Sequence, residues 1–94
     1  MFEARLEENN TLFLSGRLDA SQTNKAASAL SAIQESGVID FSELEYISSA
    51  GIGVLLAAQR RLQDHGAKLK LTNMSAHIRD IFRYAGLDRV FEIE

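Results

Sequence analysis

From Ser48 to Leu71 the chain reads SSAGIGVLLAAQRRLQDHGAKLKL, and a change of hydrophobic period inside this stretch decides the fold class. Ile52, Leu55, Leu56, Gln59 and Leu62 fall at the spacing of one helix face, and all but Gln59 are apolar. Ala57, Arg60, Arg61 and Asp64 fall on the other side, where the paired arginines read as a solvated face. The pattern predicts a helix over Gly51–His65, ended by Gly66. Lys68-Leu69-Lys70-Leu71 then alternates strictly, which predicts a strand with one buried face and lysines towards solvent.

Upstream, Phe2 to Leu6 alternates apolar and polar residues as a half-buried strand does. Glu8-Asn9-Asn10 has turn chemistry, and Thr11–Ser15 resumes a strand, so the two segments form a hairpin. Asp19 and Ser21 are both N-cap residue types for a helix over Ser21–Glu35, with Ala26, Ala29, Leu30 and Ile33 on its buried stripe and Gly37 as its stop. Val38–Phe41 reads as a short strand, followed by an irregular stretch to Ser48. Downstream, Ser75 caps a third helix with Ile78, Ile81, Phe82 and Ala85 inward, closed by Gly86, and Val90–Ile93 is the last strand. The order β-β-α-β-α-β-α-β predicts an α/β domain with a mainly parallel mixed sheet, antiparallel only at its first hairpin. If successive crossovers step one way, the helices lie on one face, in agreement with the alternation at Lys68–Leu71.

The 94 residues make one domain, 1–94, with no linker, repeat or low-complexity tract. A hydrophobic fraction of 46% and a charged fraction of 24% are those of an ordinary globular chain. The net charge of −3 argues against direct nucleic-acid binding, which needs a basic face to displace counterions. The absence of cysteine excludes disulfides, thiolate zinc sites and cysteine nucleophiles. Met1-Phe2-Glu3-Ala4-Arg5 lacks the features of a signal peptide, and no apolar run is long enough to span a bilayer, so a cytoplasmic protein with no membrane association is expected.

Little points to catalysis. His65 and His77 are the only histidines, each at a helix terminus, with no converging ligand set for a metal. Gly-x-Ser-x-Gly is absent, and Asp19 and Asp40 read as loop caps even if they meet near the strand ends. Ser48-Ser49-Ala50-Gly51-Ile52-Gly53 is different, because it follows a strand and opens the amphipathic helix. A helix N-terminus offers free amides and partial positive charge, yet both glycine-rich nucleotide motifs are unmatched here. Three readings remain: Ser49 or Ser48 caps the helix, the loop binds an anion, or the serine carries a covalent phosphate that the helix end tolerates.

Asp40-Phe41-Ser42-Glu43-Leu44-Glu45-Tyr46-Ile47-Ser48-Ser49-Ala50-Gly51-Ile52-Gly53-Val54-Leu55-Leu56 resembles the phosphorylation segment of the STAS domain of bacterial anti-sigma factor antagonists. In that family the segment reads Asp-Leu-Ser, a spacer, an aromatic-aliphatic pair, Asp-Ser-Ser/Thr-Gly-Leu-Gly and an apolar helix. Gly16-Arg17-Leu18-Asp19-Ala20 is similar to the Gly-x-Leu-Asp turn before the family's first helix, and Ala85-Gly86-Leu87-Asp88-Arg89-Val90-Phe91 resembles its closing segment. Ser49 falls on the position that the family phosphorylates. Ser48 stands where the family has aspartate and Ala50 where it has a second Ser/Thr, and the third strand looks short for the family.

The resemblance implies partner switching in signal transduction and transcription regulation. The unphosphorylated antagonist binds an anti-sigma factor serine kinase and frees the sigma factor. Phosphorylation of Ser49 ends the complex, and a metal-dependent serine/threonine phosphatase resets it. ATP and magnesium belong to the partners, so no cofactor is expected in this chain, which is expected to be a monomer when free and not an enzyme. The implied contact residues are Asp19, Ser21, Ser48, Ala50, Gly51, Ile52 and Gly53. The competing functions are a STAS scaffold subunit of a stress-sensing, secretion-regulating or lipid-transport complex, and a nucleotide or small-molecule binder at the helix end. A hydrolase ranks last for want of a base.

Overall fold

The computed structural model describes residues 1–94. Strands β1 (Phe2–Glu7) and β2 (Thr11–Leu18) form the expected hairpin through a turn in which Asn9 and Asn10 take φ of 65° and 55°. Asparagine visits this left-handed region at lower cost than most residues. Helix α1 (Thr23–Leu30), strand β3 (Gly37–Ile47), helix α2 (Ser49–Gln63), strand β4 (Leu69–Thr72), helix α3 (Ala76–Tyr84) and strand β5 (Glu92–Ile93) follow. The strands lie in sequence order, β1 antiparallel to β2 and all later pairs parallel. Each crossover therefore steps the same way, and right-handed connections place all the helices on one face. The α/β fold expected from the sequence is the one observed.

Register aligns the core across the sheet. Leu12 lies opposite Ile39, Ile39 opposite Leu71, and Leu71 opposite Ile93. Leu12, Ile39 and Leu71 meet Leu30, Leu55, Leu62, Ile78 and Phe82 from the helices in one buried cluster, against which the half-buried Ile93 packs. Phe82 anchors α3, meeting the rings of Phe41 and Phe91 edge-on at 6.0 and 5.9 Å. The opposite sheet face is charged, with Lys70 reaching Glu92 and Glu94 at 3.5 and 3.4 Å.

Five boundaries differ from the sequence expectation, and the simplest is β2, which runs past Ser15 to Leu18 because its pairing with β3 continues through Gly16, Arg17 and Leu18. The first helix covers Thr23–Leu30 instead of Ser21–Glu35. Asp19 opens a 3-10 turn, Ala20–Gln22, in front of it, and beyond it Ser31 Oγ donates to Ser28 O at 2.6 Å. Such serine bonds compete with helix continuation, and Ile33 enters the core from the turn instead. Gly37 does not stop a helix but opens β3, where a Cβ would sit 2.8 Å from Asn10 O. The third strand is not the short Val38–Phe41 but eleven residues long, so the stretch to Ser48 is not irregular. Its pairing with β2 shifts register between Phe13 and Ser15 and again between Gly16 and Arg17, so the buried residues become Ile39, Phe41, Leu44 and Ile47 and lose the two-residue period. Only glycine fits at position 16, where φ is +83° and a Cβ would lie 1.8 Å from Met1 O. At the end of the chain, Val90 is exposed after a 3-10 turn and β5 shrinks to Glu92–Ile93, while Ala85, expected inward, is an exposed C-cap.

Two buried polar residues tie elements together. Asp40 accepts from Ser42 N–H at 2.8 Å and from Asn73 Nδ2 at 2.9 Å, joining β3 to the β4–α3 connection. Burial alone would raise its pKa, but these hydrogen bonds outweigh burial and hold it below the usual carboxylate range. Gln59, the one polar member of the α2 stripe, is 3% exposed. Its Oε1 accepts from Leu69 N–H at 2.9 Å and its Nε2 donates to Val90 O at 3.0 Å. Gln59→Leu leaves both backbone groups without partners, so it is expected to lower unfolding free energy by about 2 kcal/mol or more, read by urea denaturation.

Candidate functional site

Strands β2 and β3 end together, with Leu18 paired to Ile47 and the Ser48 N–H donating to Leu18 O at 2.9 Å. The segments that follow, Asp19 to Ser21 and Ser48 to Ala50, therefore leave the same sheet edge side by side. Asp19 Oδ1 accepts from the Ser21 hydroxyl at 2.6 Å and the Ser21 N–H at 3.0 Å. The Ser21 hydroxyl is the main reason its carboxyl lies below the usual range; partial desolvation opposes this, and the Ser21 amide, Arg17 and the N-terminal amine assist. Asp19 is thus an ionised cap at neutral pH. It does not meet Asp40, which lies seven positions before Ile47 on β3, roughly 20 Å away at the strand rise.

Ser48 is the N-cap of α2. It has extended backbone, and its Oγ accepts from Gly51 N–H at 3.1 Å. Ser49 is the first helical residue, exposed, and its hydroxyl makes no bond within the chain. The Ile52 N–H already bonds Ser48 O, which leaves the Ser49 and Ala50 amides as the free donors of the helix terminus. Of the two serines that the sequence left open as caps, the structure uses Ser48 and presents Ser49.

The remaining expected contact residues divide. Ala50 and Gly53 are exposed, and nothing lies within 4 Å of a Cβ built on Gly53. Ile52 is half-buried. Gly51 leaves the contact surface because it is buried, with a built Cβ 2.8 Å from Leu18 Cγ and 3.1 Å from Ile47 Cγ1. Its role is to let α2 sit down on the ends of β2 and β3.

Next to Ser49, α1 and α2 enclose an open groove of about 500 Å³. Thr23, Ala27, Leu30 and Ser31 line one wall, and Ala50, Gly53, Val54 and Ala57 line the other. Arg61 closes the far end. It is not the solvated residue that the sequence implied, since its guanidinium donates to Leu30 O at 3.0 Å, while Arg60 is exposed. No residue from Tyr46 to Gln59 is charged, and Lys25, the one charge on α1, turns away to Phe2 O at 2.8 Å. None of Thr23, Ala27 and Ala57 stands out in the sequence as a site residue; the uncharged run from Tyr46 to Gln59 is a signal for the α2 wall alone.

No group of three or more His, Cys, Asp and Glu is placed to hold a metal ion, and His65 and His77 are exposed. No helix is long and apolar enough to cross a membrane. This is a small one-sheet α/β domain that presents a serine at a helix N-terminus.

The family model described as Mlab, STAS domain, matches residues 1–93. An anti-sigma-B factor antagonist of Listeria monocytogenes is 31% identical over 87 residues, 88% of this chain and 76% of the relative. The chain belongs to the STAS domain family. Among solved structures, an anti-sigma factor antagonist from Mycobacterium paratuberculosis superposes with a TM-score of 0.87 at 21% identity, covering 99% of this chain and 85% of the other. The phosphorylated form of the Bacillus cell fate determinant SpoIIAA superposes with a TM-score of 0.71 at 20% identity, covering 100% and 91%. These likenesses in structure are likenesses of fold.

The division of labour between the serines has a measurable consequence. Ser48→Ala is expected to cost about 1 kcal/mol through loss of the cap, whereas Ser49→Ala stays within a few tenths. Urea unfolding of both variants reads the difference.

Proposed function

We propose that this chain is an anti-sigma factor antagonist that switches partners through phosphorylation of Ser49. The observation that carries the reading is the unbonded, exposed Ser49 hydroxyl at the N-terminus of α2, beside Ala50 of a groove whose one charged lining residue, Arg61, lies at the far end. The name of the Listeria relative supports the antagonist role, and the position of Ser49 at the helix terminus supports the chemistry of the switch.

In the unphosphorylated form, Ala50, Ile52 and Gly53, with Asp19, Ser21 and Ser48 beside them, form a surface for an anti-sigma factor serine kinase. Apart from the ionised Asp19 these residues carry no charge, and uncharged groups are cheap to desolvate, so docking on them loses little hydration. The kinase supplies ATP and magnesium, and this chain supplies the acceptor hydroxyl with no base, metal or cofactor of its own. It acts as a substrate and ligand in the cytoplasm, where its partners work, and not as an enzyme. The phosphate adds about −1.5 to −2 charges. The free Ser49 and Ala50 amides and the helix dipole accommodate that charge in the free chain. In the complex the same charge would be buried without a counter-charge and beside the ionised Asp19, at a cost of several kcal/mol. The kinase complex then separates, and a metal-dependent serine/threonine phosphatase restores the hydroxyl.

Incubation with the anti-sigma factor kinase and ATP is expected to add one phosphate, mapped to Ser49 by mass spectrometry. Phosphate on Ser48, Ser21 or Ser75 instead would overturn the assignment. In titrations against that kinase, Ser49→Ala is expected to bind like the parent and Ser49→Asp on the order of a hundredfold more weakly. Equal affinities for the two variants would favour a scaffold role over a phosphate-gated switch.

A further inference from the structure

Strand β1 is a free edge of the sheet. The Arg17 N–H donates to Met1 O at 2.9 Å, so the Met1 carbonyl faces β2, and carbonyls alternate along a strand. The backbone groups of Phe2, Ala4 and Leu6 therefore point outward, away from the sheet. Lys25 crosses this edge. It leaves α1 on the helix face, its Nζ donates to the outward Phe2 O at 2.8 Å, and it ends on the Glu3 carboxylate on the opposite face. Half of its side chain remains exposed, so packing does not explain the placement.

The edge is also complementary to itself. Antiparallel pairing of two copies of β1 about Ala4 brings the outward groups of Ala4 together and those of Phe2 onto Leu6 of the second copy. On the charged face it sets Glu3 opposite Arg5 of the second copy, twice by symmetry. On the helix face it covers Leu6, which is 41% exposed. No proline interrupts the strand. An unguarded edge of this kind is a template for strand pairing, and a lysine laid on it is a known way to blunt one.

We infer that the outer edge of β1 is a latent interaction surface that fits a second copy of this chain, and that Lys25 straps it shut by occupying the Phe2 carbonyl and the Glu3 carboxylate. Both are groups that the pairing needs. The inference is independent of Ser49 and of any kinase.

Sedimentation velocity of Lys25→Met, which keeps the aliphatic stem and loses the ammonium, tests it. The parent and Lys25→Arg are expected to remain monomers over the concentration range, while Lys25→Met doubles in mass as concentration rises. Addition of Glu3→Arg to Lys25→Met, which faces arginine with arginine, is expected to restore the monomer. Hydrogen exchange is expected to slow at the Ala4 and Leu6 amides only in the dimer. A folded Lys25→Met that stays monomeric would overturn the inference. So would a dimer that survives Glu3→Arg or leaves the Ala4 and Leu6 amides unprotected, because it would use another surface.

Discussion

The hydrogen bond from the Ser48 amide to the Leu18 carbonyl, 2.9 Å long, holds the end of β3 to the end of β2 at the point where α2 departs. Directly above it the missing side chain of Gly51 lets the first turn of α2 rest on Leu18 and Ile47. That seating fixes the direction of α2, and with it the alignment of Leu55, Gln59 and Leu62 over the sheet. The same joint places Asp19 and Ser49 at one edge. The fold and the exposure of Ser49 therefore depend on one close approach of backbone to side chain, and a Cβ at Gly51 would strain both.

The electrostatics of the domain are arranged around that joint. Charged side chains cover the open sheet face, where Lys68, Lys70, Glu92 and Glu94 pair with one another, and exposed pairs of this kind contribute little to stability. The helix face beside Ser49 carries no charge near the serine, with Lys25 drawn off to the β1 edge and Arg61 held at the far end of the groove on the Leu30 carbonyl. On such a surface a single phosphate changes the local field by more than any neighbouring group supplies. Asp19, with Arg17 near it, is the ionised companion at that edge. A phosphate there changes what the surface can bind without asking the core to move.

The elements with an unbroken period were legible in the sequence, and those with an interrupted one were not. The 3.6-residue stripe of α2 and the alternation of β4 gave the right elements within two residues, and together they implied helices on one face. The sequence pattern ends β3 at Phe41 because its two register shifts break the alternation beyond that residue, and a bulge leaves no mark in composition. The same pattern carries α1 too far because Ile33 continues the apolar spacing of Ala26, Ala29 and Leu30, while the Ser31 hydroxyl bonds the Ser28 carbonyl where the helix ends. At the site, both Ser48 and Ser49 are capping residue types, so their roles separate only with the geometry of the Gly51 amide. Of the groove, only the uncharged α2 wall leaves a mark in the sequence, since the two walls come from helices distant along the chain. The polar Gln59 on an apolar stripe was visible as an exception, but its bridging partners, Leu69 and Val90, were not.

The central claim is that phosphate on Ser49 alters the charge of one surface while the fold stays as it is. Amide chemical shifts of the chain carrying phosphoserine at position 49, compared with the unmodified chain, test it residue by residue. The account predicts shifts confined to Ser48–Gly53 and to the adjoining turn from Asp19 to Thr23, with the largest downfield changes at the Ser49 and Ala50 amides that meet the phosphate. Shifts spread through the buried residues of β3, β4 and α3 would contradict it, because they would show that the modification acts by repacking the core.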